Sequence, residues 1–177
     1  MKFDPKIHHR HSIRLPGYDY SRAGAYYVTI VTQGRESLFG EVVNGAIALN
    51  RFGQIVEHAW YDLPNHYPHV ELDAFCIMPN HVHGIIVLND DYVGAGLRPA
   101  PTGCTSTKRH PLSEIVRAFK SFSARRINSL RNTQGIPVWQ RNYYEHIIRN
   151  NDDYLSKSNY ILTNPLNWEK DDENIQR

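Results

Sequence analysis

Residues 75–88 read Phe75-Cys76-Ile77-Met78-Pro79-Asn80-His81-Val82-His83-Gly84-Ile85-Ile86-Val87-Leu88. Two apolar runs flank a Pro-Asn pair, the pattern of two strands joined by a tight turn. Side chains at i and i+2 of a strand share a face. His81 and His83 therefore stand side by side, while Val82 points the other way. Two imidazoles on one rigid strand suit a divalent cation and leave positions open for a substrate. They equally suit a hydrogen-bonded, half-buried pair, and spacing alone leaves both readings open. His9-Arg10-His11 repeats the spacing in a segment with no strand pattern and reads as part of a polar arm.

Working outward, residues 25–32 are β-branched and aromatic, a strong strand signal. Residues 41–49 form a hairpin around Asn44-Gly45, the preferred two-residue turn. Asn50 can cap a helix running from about Arg51 toward Leu63, with Phe52, Ile55, Val56, Ala59 and Trp60 on one face. A strand over 70–78 leads into the His81 strand. Residues 113–130 read as an amphipathic helix with Ile115, Phe119, Phe122 and Ile127 as core contacts. Residues 138–149 are strand-like. Asn150, Asn151 or Asp152 caps a last helix ending near Thr163, before Pro165. This order predicts an α+β fold: a ferredoxin-like or RRM-like antiparallel sheet with helices packed on one face. A single domain over 1–177 is expected, with an N-terminal arm over 1–22 and a flexible Gly/Pro-rich loop over 90–110.

The composition, 41% hydrophobic and 21% charged, is that of a globular protein. No run is long enough to span a membrane and the start does not resemble a signal peptide, so a cytoplasmic location is expected. Cys76 and Cys104 suggest neither a disulfide framework nor a cysteine-type zinc site. Net charge is only +2, but it is unevenly spread. Lys2, Lys6, Arg10, Arg14 and Arg22 mark the start; Arg117, Lys120, Arg125, Arg126 and Arg131 mark one helix. Glu169, Asp171, Asp172 and Glu173 gather at the end. Each run also fits an ordinary solvated face.

The last helix carries the second half of a candidate site. Tyr154, Leu155, Ser158, Ile161 and Leu162 form a face that can pack on the sheet. Asp153, Lys157, Tyr160 and Asn164 form a separate polar stripe, in which Tyr160 and Asn164 lie one turn apart. An ordinary amphipathic tyrosine is the alternative. Tyr143, Tyr144 and Tyr154 are nearby competitors that lack such a partner.

Four separated pieces carry a family likeness: residues 14–20 (Arg-Leu-Pro-Gly-Tyr-Asp-Tyr), 78–83 (Met-Pro-Asn-His-Val-His), 138–150 and 159–165 (Asn-Tyr-Ile-Leu-Thr-Asn-Pro). In them the chain resembles the single-tyrosine transposases of the His-hydrophobic-His endonuclease superfamily, and among these the REP-associated tyrosine transposases. The resemblance implies that His81 and His83 bind a catalytic metal, Mg2+ or Mn2+, and that Tyr160 is the nucleophile. Asn164 falls where relatives place a third polar ligand. It further implies strand transfer on single-stranded DNA bearing imperfect hairpins, through a 5′-phosphotyrosine, by a monomer or a homodimer. Cationic tracking and aromatic stacking of the strand would fall to Arg14, Tyr18, Lys120, Arg125 and Arg141. Lys157 could favour the phenolate of Tyr160.

Two rivals make different demands. A non-catalytic hairpin DNA- or RNA-binding module would use Tyr26, Tyr27, Tyr143 and Tyr144 as stacking platforms. A zinc hydrolase would need an acidic third ligand, and Glu71 and Asp73 precede the histidines by most of a strand.

Overall fold

The computed structural model describes residues 15, 17–90 and 109–174. Most of the expected arm and of the 90–110 loop, with Cys104 and Arg14, lies outside them. Four strands form one antiparallel sheet: β1 (Gly24–Val31), β4 (Val70–Ile77), β5 (His81–Leu88) and β6 (Tyr144–Ile148), in the order β4-β5-β1-β6. Helix α1 (Arg51–Tyr61) links β1 to β4, and α3 (Leu112–Leu130) links β5 to β6. This is the expected βαββαβ ferredoxin-like arrangement. β2 (Gly40–Val43) and β3 (Ala46–Leu49) pair as a separate ribbon. Asn44 and Gly45 between them both have positive φ, 52° and 75°, as a twist-matched hairpin turn requires. The strand expected over 138–149 is shorter: only Tyr144–Ile148 joins the sheet, and Trp139 makes a lone bridge to Thr32.

The sequence reasons for α1 are visible at its start. The Asn50 side chain accepts from the backbone N–H groups of Phe52 (2.8 Å) and Gly53 (3.1 Å), satisfying donors the helix itself cannot. Its inner face buries Val56, Ala59 and Trp60. Trp60 stacks on Phe75 at 4.4 Å and meets Phe119 edge-on at 5.5 Å, tying α1, β4 and α3 together. Gly84 makes room for that indole, because a Cβ there would strike the Trp60 ring. A short helix α2 (Leu63–His66) follows, with Pro64 in its first turn.

α1 and α3 cover one face of the sheet, over Tyr26, Val28, Ile30, Val82 and Ile86. The last helix, α4 (Asn151–Thr163), lies across the opposite face, where Ile161 joins Tyr27 and Ile85. β1 and β5 are thus covered on both sides, which explains their near-continuous apolar runs. Two packing expectations change. Phe122 is 41% exposed and is not a core contact of α3. Leu155 and Leu162 of α4 are 54% and 66% exposed, because the helix turns Tyr154, Lys157, Ser158, Ile161 and Asn164 inward instead. The sheet beneath offers a small apolar patch (Ala25, Ala74, Cys76) beside polar groups, so a mixed line of residues fits it better than a leucine stripe. No helix among the described residues is long and apolar enough to cross a membrane.

Candidate metal and nucleophile centre

The α4 face of the sheet carries Tyr27 and Thr29 on β1 opposite Ile85 and His83 on β5, with His81 opposite Val31. The backbone turn at 79–80 is closed by Met78 N–H donating to the His81 carbonyl (2.8 Å). His81 and His83 are 0% and 3% exposed, and their Nε2 atoms face each other at 2.9 Å. Burial holds both rings neutral: His81 is lowered to about 4 by desolvation, with Asp171 pulling the other way, and His83 falls well below 6.5.

The outer nitrogen of His81 fixes its tautomer. Asn80 donates through Nδ2 to the carbonyls of Arg35 (3.2 Å) and Glu173 (2.7 Å), so its Oδ1 accepts from His81 Nδ1 (2.8 Å). In the neutral ring, that leaves His81 Nε2 as a bare lone pair. His83 Nδ1 meets two hydroxyls, Tyr27 and Thr29, each at 2.8 Å. Hydroxyls rotate and both donate and accept, so His83 is supported in either tautomer. It can give its Nε2 hydrogen to His81, or keep that nitrogen free for a cation and donate outward through Nδ1.

The chain's end completes the centre. Asn164 ends α4, and a 3-10 turn (Pro165–Lys170) carries the chain back over the histidines, with Trp168 6.0 Å from the His81 ring. Asp171 follows, 7% exposed, and its carboxylate lies within 4.8 Å of both histidine nitrogens. It accepts from Glu173 N–H (2.7 Å), Asn164 Nδ2 (2.9 Å) and the Tyr160 hydroxyl (3.4 Å). The Tyr160 ring is 5.2 Å from the His83 ring. Burial, then the neighbouring Asp171, push its phenol up to about 12.

The donor set fits a divalent cation. The two Nε2 atoms, 2.9 Å apart, stand at the spacing that two adjacent corners of one coordination sphere give with bonds of about 2.1 Å. A carboxylate lies beside them, and the buried Asn164 Oδ1 has no hydrogen-bond partner. A buried unpaired carbonyl is costly, and a cation would satisfy it. Asp171 was invisible as a ligand in the sequence, ninety residues from the histidines. It corrects the expectation that the pair lacks an acidic neighbour.

The other expected residues scatter. Lys157 sits over the Tyr27 ring at 5.3 Å. Lys120 donates to the carbonyls of Gln140 (2.6 Å) and Arg141 (2.9 Å), a bracing role for that loop. It and Arg125, which lies over Phe122 at 4.8 Å, belong to α3, on the sheet face away from the histidines. Arg141 is exposed in the loop Lys120 braces. Tyr18 packs edge-on against Tyr20 (5.0 Å) and Tyr26 (6.5 Å). Of the rival nucleophiles, Tyr154 donates to Asp73 at 2.7 Å. Tyr144 meets the Tyr27 ring edge-on at 6.1 Å. Tyr27, Thr29, Asn80 and Asp171 are site residues that sequence reading missed; only Asn80, inside the motif, carried a signal.

No family model matches the chain. An uncharacterized protein of Haemophilus influenzae is 40% identical over 174 residues, 96% of either chain. A second protein of that organism, provisionally named a REP-associated tyrosine transposase, is 26% identical over 148 residues, covering 84% of this chain and 73% of its own. The fold matches a solved REP-associated tyrosine transposase bound to a REP hairpin, with a TM-score of 0.57, 21% identity, and 88% and 73% of the two chains covered. Fold, motif and sequence agree in one likeness: the chain resembles the REP-associated tyrosine transposases.

Proposed function

We propose that this protein cuts and rejoins single-stranded DNA beside imperfect hairpins of palindromic repeats, through a covalent bond to Tyr160 and with Mg2+ or Mn2+ held by His81 and His83. One observation carries the reading: a single chain brings the Tyr160 phenol to 5.2 Å from the His83 ring and hydrogen-bonds it to Asp171, a member of the same cluster. No exchange of helices between subunits is needed for that meeting. The protein of similar fold solved with a REP hairpin supports the hairpin as substrate.

In the proposed reaction, His81 and His83 would hold the cation, while Asp171 and Asn164 would supply the oxygen donors that Mg2+ and Mn2+ prefer. The bound cation would polarise the scissile phosphate and stabilise developing charge, an effect of several kcal/mol. Tyr160 Oη forms a bond to phosphorus as the P–O3′ bond breaks. The phenolic proton passes to the Asp171 carboxylate and from there through water to the departing 3′ oxygen, so the step takes up and releases no net proton. A phenol held at about 12 is protonated at neutral pH, so an acceptor for that proton is required. A 3′-hydroxyl attacking the phosphotyrosine reverses the step and joins strands without ATP.

The test incubates the protein with end-labelled hairpin oligonucleotides and Mn2+ or Mg2+, followed by a denaturing gel. The expected product is a covalent protein–DNA band that needs metal and vanishes in Tyr160→Phe. Cleavage surviving in that variant moves the nucleophile elsewhere. Asp171 also favours a second reading, since His81, His83 and Asp171 form a three-ligand set that suits a zinc hydrolase. Hydrolysis gives free ends with no covalent band, so the same gel separates the two. The binding-module rival loses most of its platforms: Tyr26 and Tyr27 are 0% and 4% exposed, and only Tyr144 of the four is open, at 47%.

A further inference from the structure

We infer that Arg35 is a DNA-phosphate contact of this centre and that the Glu173 carboxylate holds its place in the free protein. The inference rests on the DNA-strand reading above. Arg35 ends the short turn Gln33–Arg35 just after β1, with φ at 57°. Its carbonyl accepts from Asn80 Nδ2 (3.2 Å), and Asn80 in turn accepts from His81. The Arg35 main chain is therefore joined through the Asn80 amide to the histidine pair. Its Nε meets Glu173 Oε2 at 2.8 Å.

The segment holding Glu173 is arranged with the same economy. Asn80 Nδ2 pins the Glu173 carbonyl (2.7 Å), and the Glu173 N–H is given to Asp171 (2.7 Å). Glu173 thus faces an arginine, a group that suits phosphate, two residues beyond the carboxylate that lies beside the histidines. Arginine is well matched to phosphate oxygens. The Arg35 and Glu173 side chains are 45% and 23% exposed, and a half-exposed ion pair is only weakly stabilising, so an incoming phosphate can take over the guanidinium. Asp171 and the pinned backbone need not move for that exchange.

The test measures hairpin-oligonucleotide binding by fluorescence anisotropy in EDTA, so that cleavage plays no part. It compares the full chain with Glu173→Gln, Arg35→Gln, their combination, and Asp172→Asn as a charge control. Glu173→Gln keeps the backbone contacts and is expected to tighten binding about fivefold, equivalent to about 1 kcal/mol. Asp172→Asn should do less. In the Arg35→Gln background, Glu173→Gln should change nothing. The salt dependence of Arg35→Gln should be shallower than that of Glu173→Gln by about 0.7 in the log–log slope, one phosphate contact on a single strand. Equal tightening by Glu173→Gln and Asp172→Asn in both backgrounds reduces the effect to net charge and overturns the inference. Weaker binding by Glu173→Gln makes the pair a structural brace and overturns it too. If no form binds DNA, the DNA-strand reading itself falls.

Discussion

Replacing Asp171 with asparagine keeps the shape of the side chain and removes its charge, and the structure sets what should follow. The carboxylate accepts from three donors: Glu173 N–H, Asn164 Nδ2 and the Tyr160 hydroxyl. An amide has one oxygen where the carboxylate has two, so its NH2 must face one of those donors in a buried place. That mismatch costs about 1–3 kcal/mol of folding stability. The effect on the cation is separate. Outer-shell partners of metal sites are already worth about 10–100-fold in affinity, and Asp171 lies within 4.8 Å of both histidine nitrogens. The expected loss is at least about tenfold, or about 1.4 kcal/mol. Mn2+ titration at pH 7, followed by electron paramagnetic resonance of the free ion and by calorimetry, measures it. A thermal melt of the metal-free variant isolates the folding cost. Mn2+ affinity within about twofold of the parent would show that Asp171 braces the segment without serving the cation. Faster cleavage in the variant would mean that the carboxylate obstructs the centre, and would refute its role as proton acceptor.

Three more outcomes follow from the same geometry. His81 is lowered to about 4 in the folded chain against about 6.5 unfolded, so its contribution is full above about pH 6.5 and is lost as pH falls toward 4. Urea titrations should show a loss approaching about 3 kcal/mol across that window, reduced in His81→Gln; a flat profile in the parent would mean the ring is not buried neutral. Tyr27→Phe and Thr29→Val each remove one of two hydroxyls on His83 Nδ1. Either alone should weaken Mn2+ binding mildly and both together by about tenfold or more, whereas additive small effects would deny that the hydroxyls share one task. Lys120→Met removes the donor to the Gln140 and Arg141 carbonyls, so its melt should fall by about 1–3 kcal/mol while the salt slope of DNA binding stays put; a shallower slope would restore Lys120 to the DNA contacts.

The linear order of residues determined every part that local chemistry controls. Asn50 before an apolar 3.6-residue rhythm made α1, Asn44-Gly45 made the hairpin, and β-branched runs made β1 and β5. The two-residue period of a strand put His81 and His83 on one face, and α4 was sound from its cap to Pro165. What local chemistry could not decide is which way α4 turns on the sheet, since both its leucine stripe and its mixed stripe are consistent with a helix. The small apolar patch beneath settled that in favour of Ile161 and Asn164. Asp171 is the sharpest case. It sits in an acidic tail that reads as a solvated run, and only the fold, by turning the chain back at Pro165–Lys170, sets its carboxylate beside nitrogens ninety residues earlier. Spacing rules reach a turn of helix or a pleat of strand; a site assembled from distant segments exists only once the sheet has brought them together.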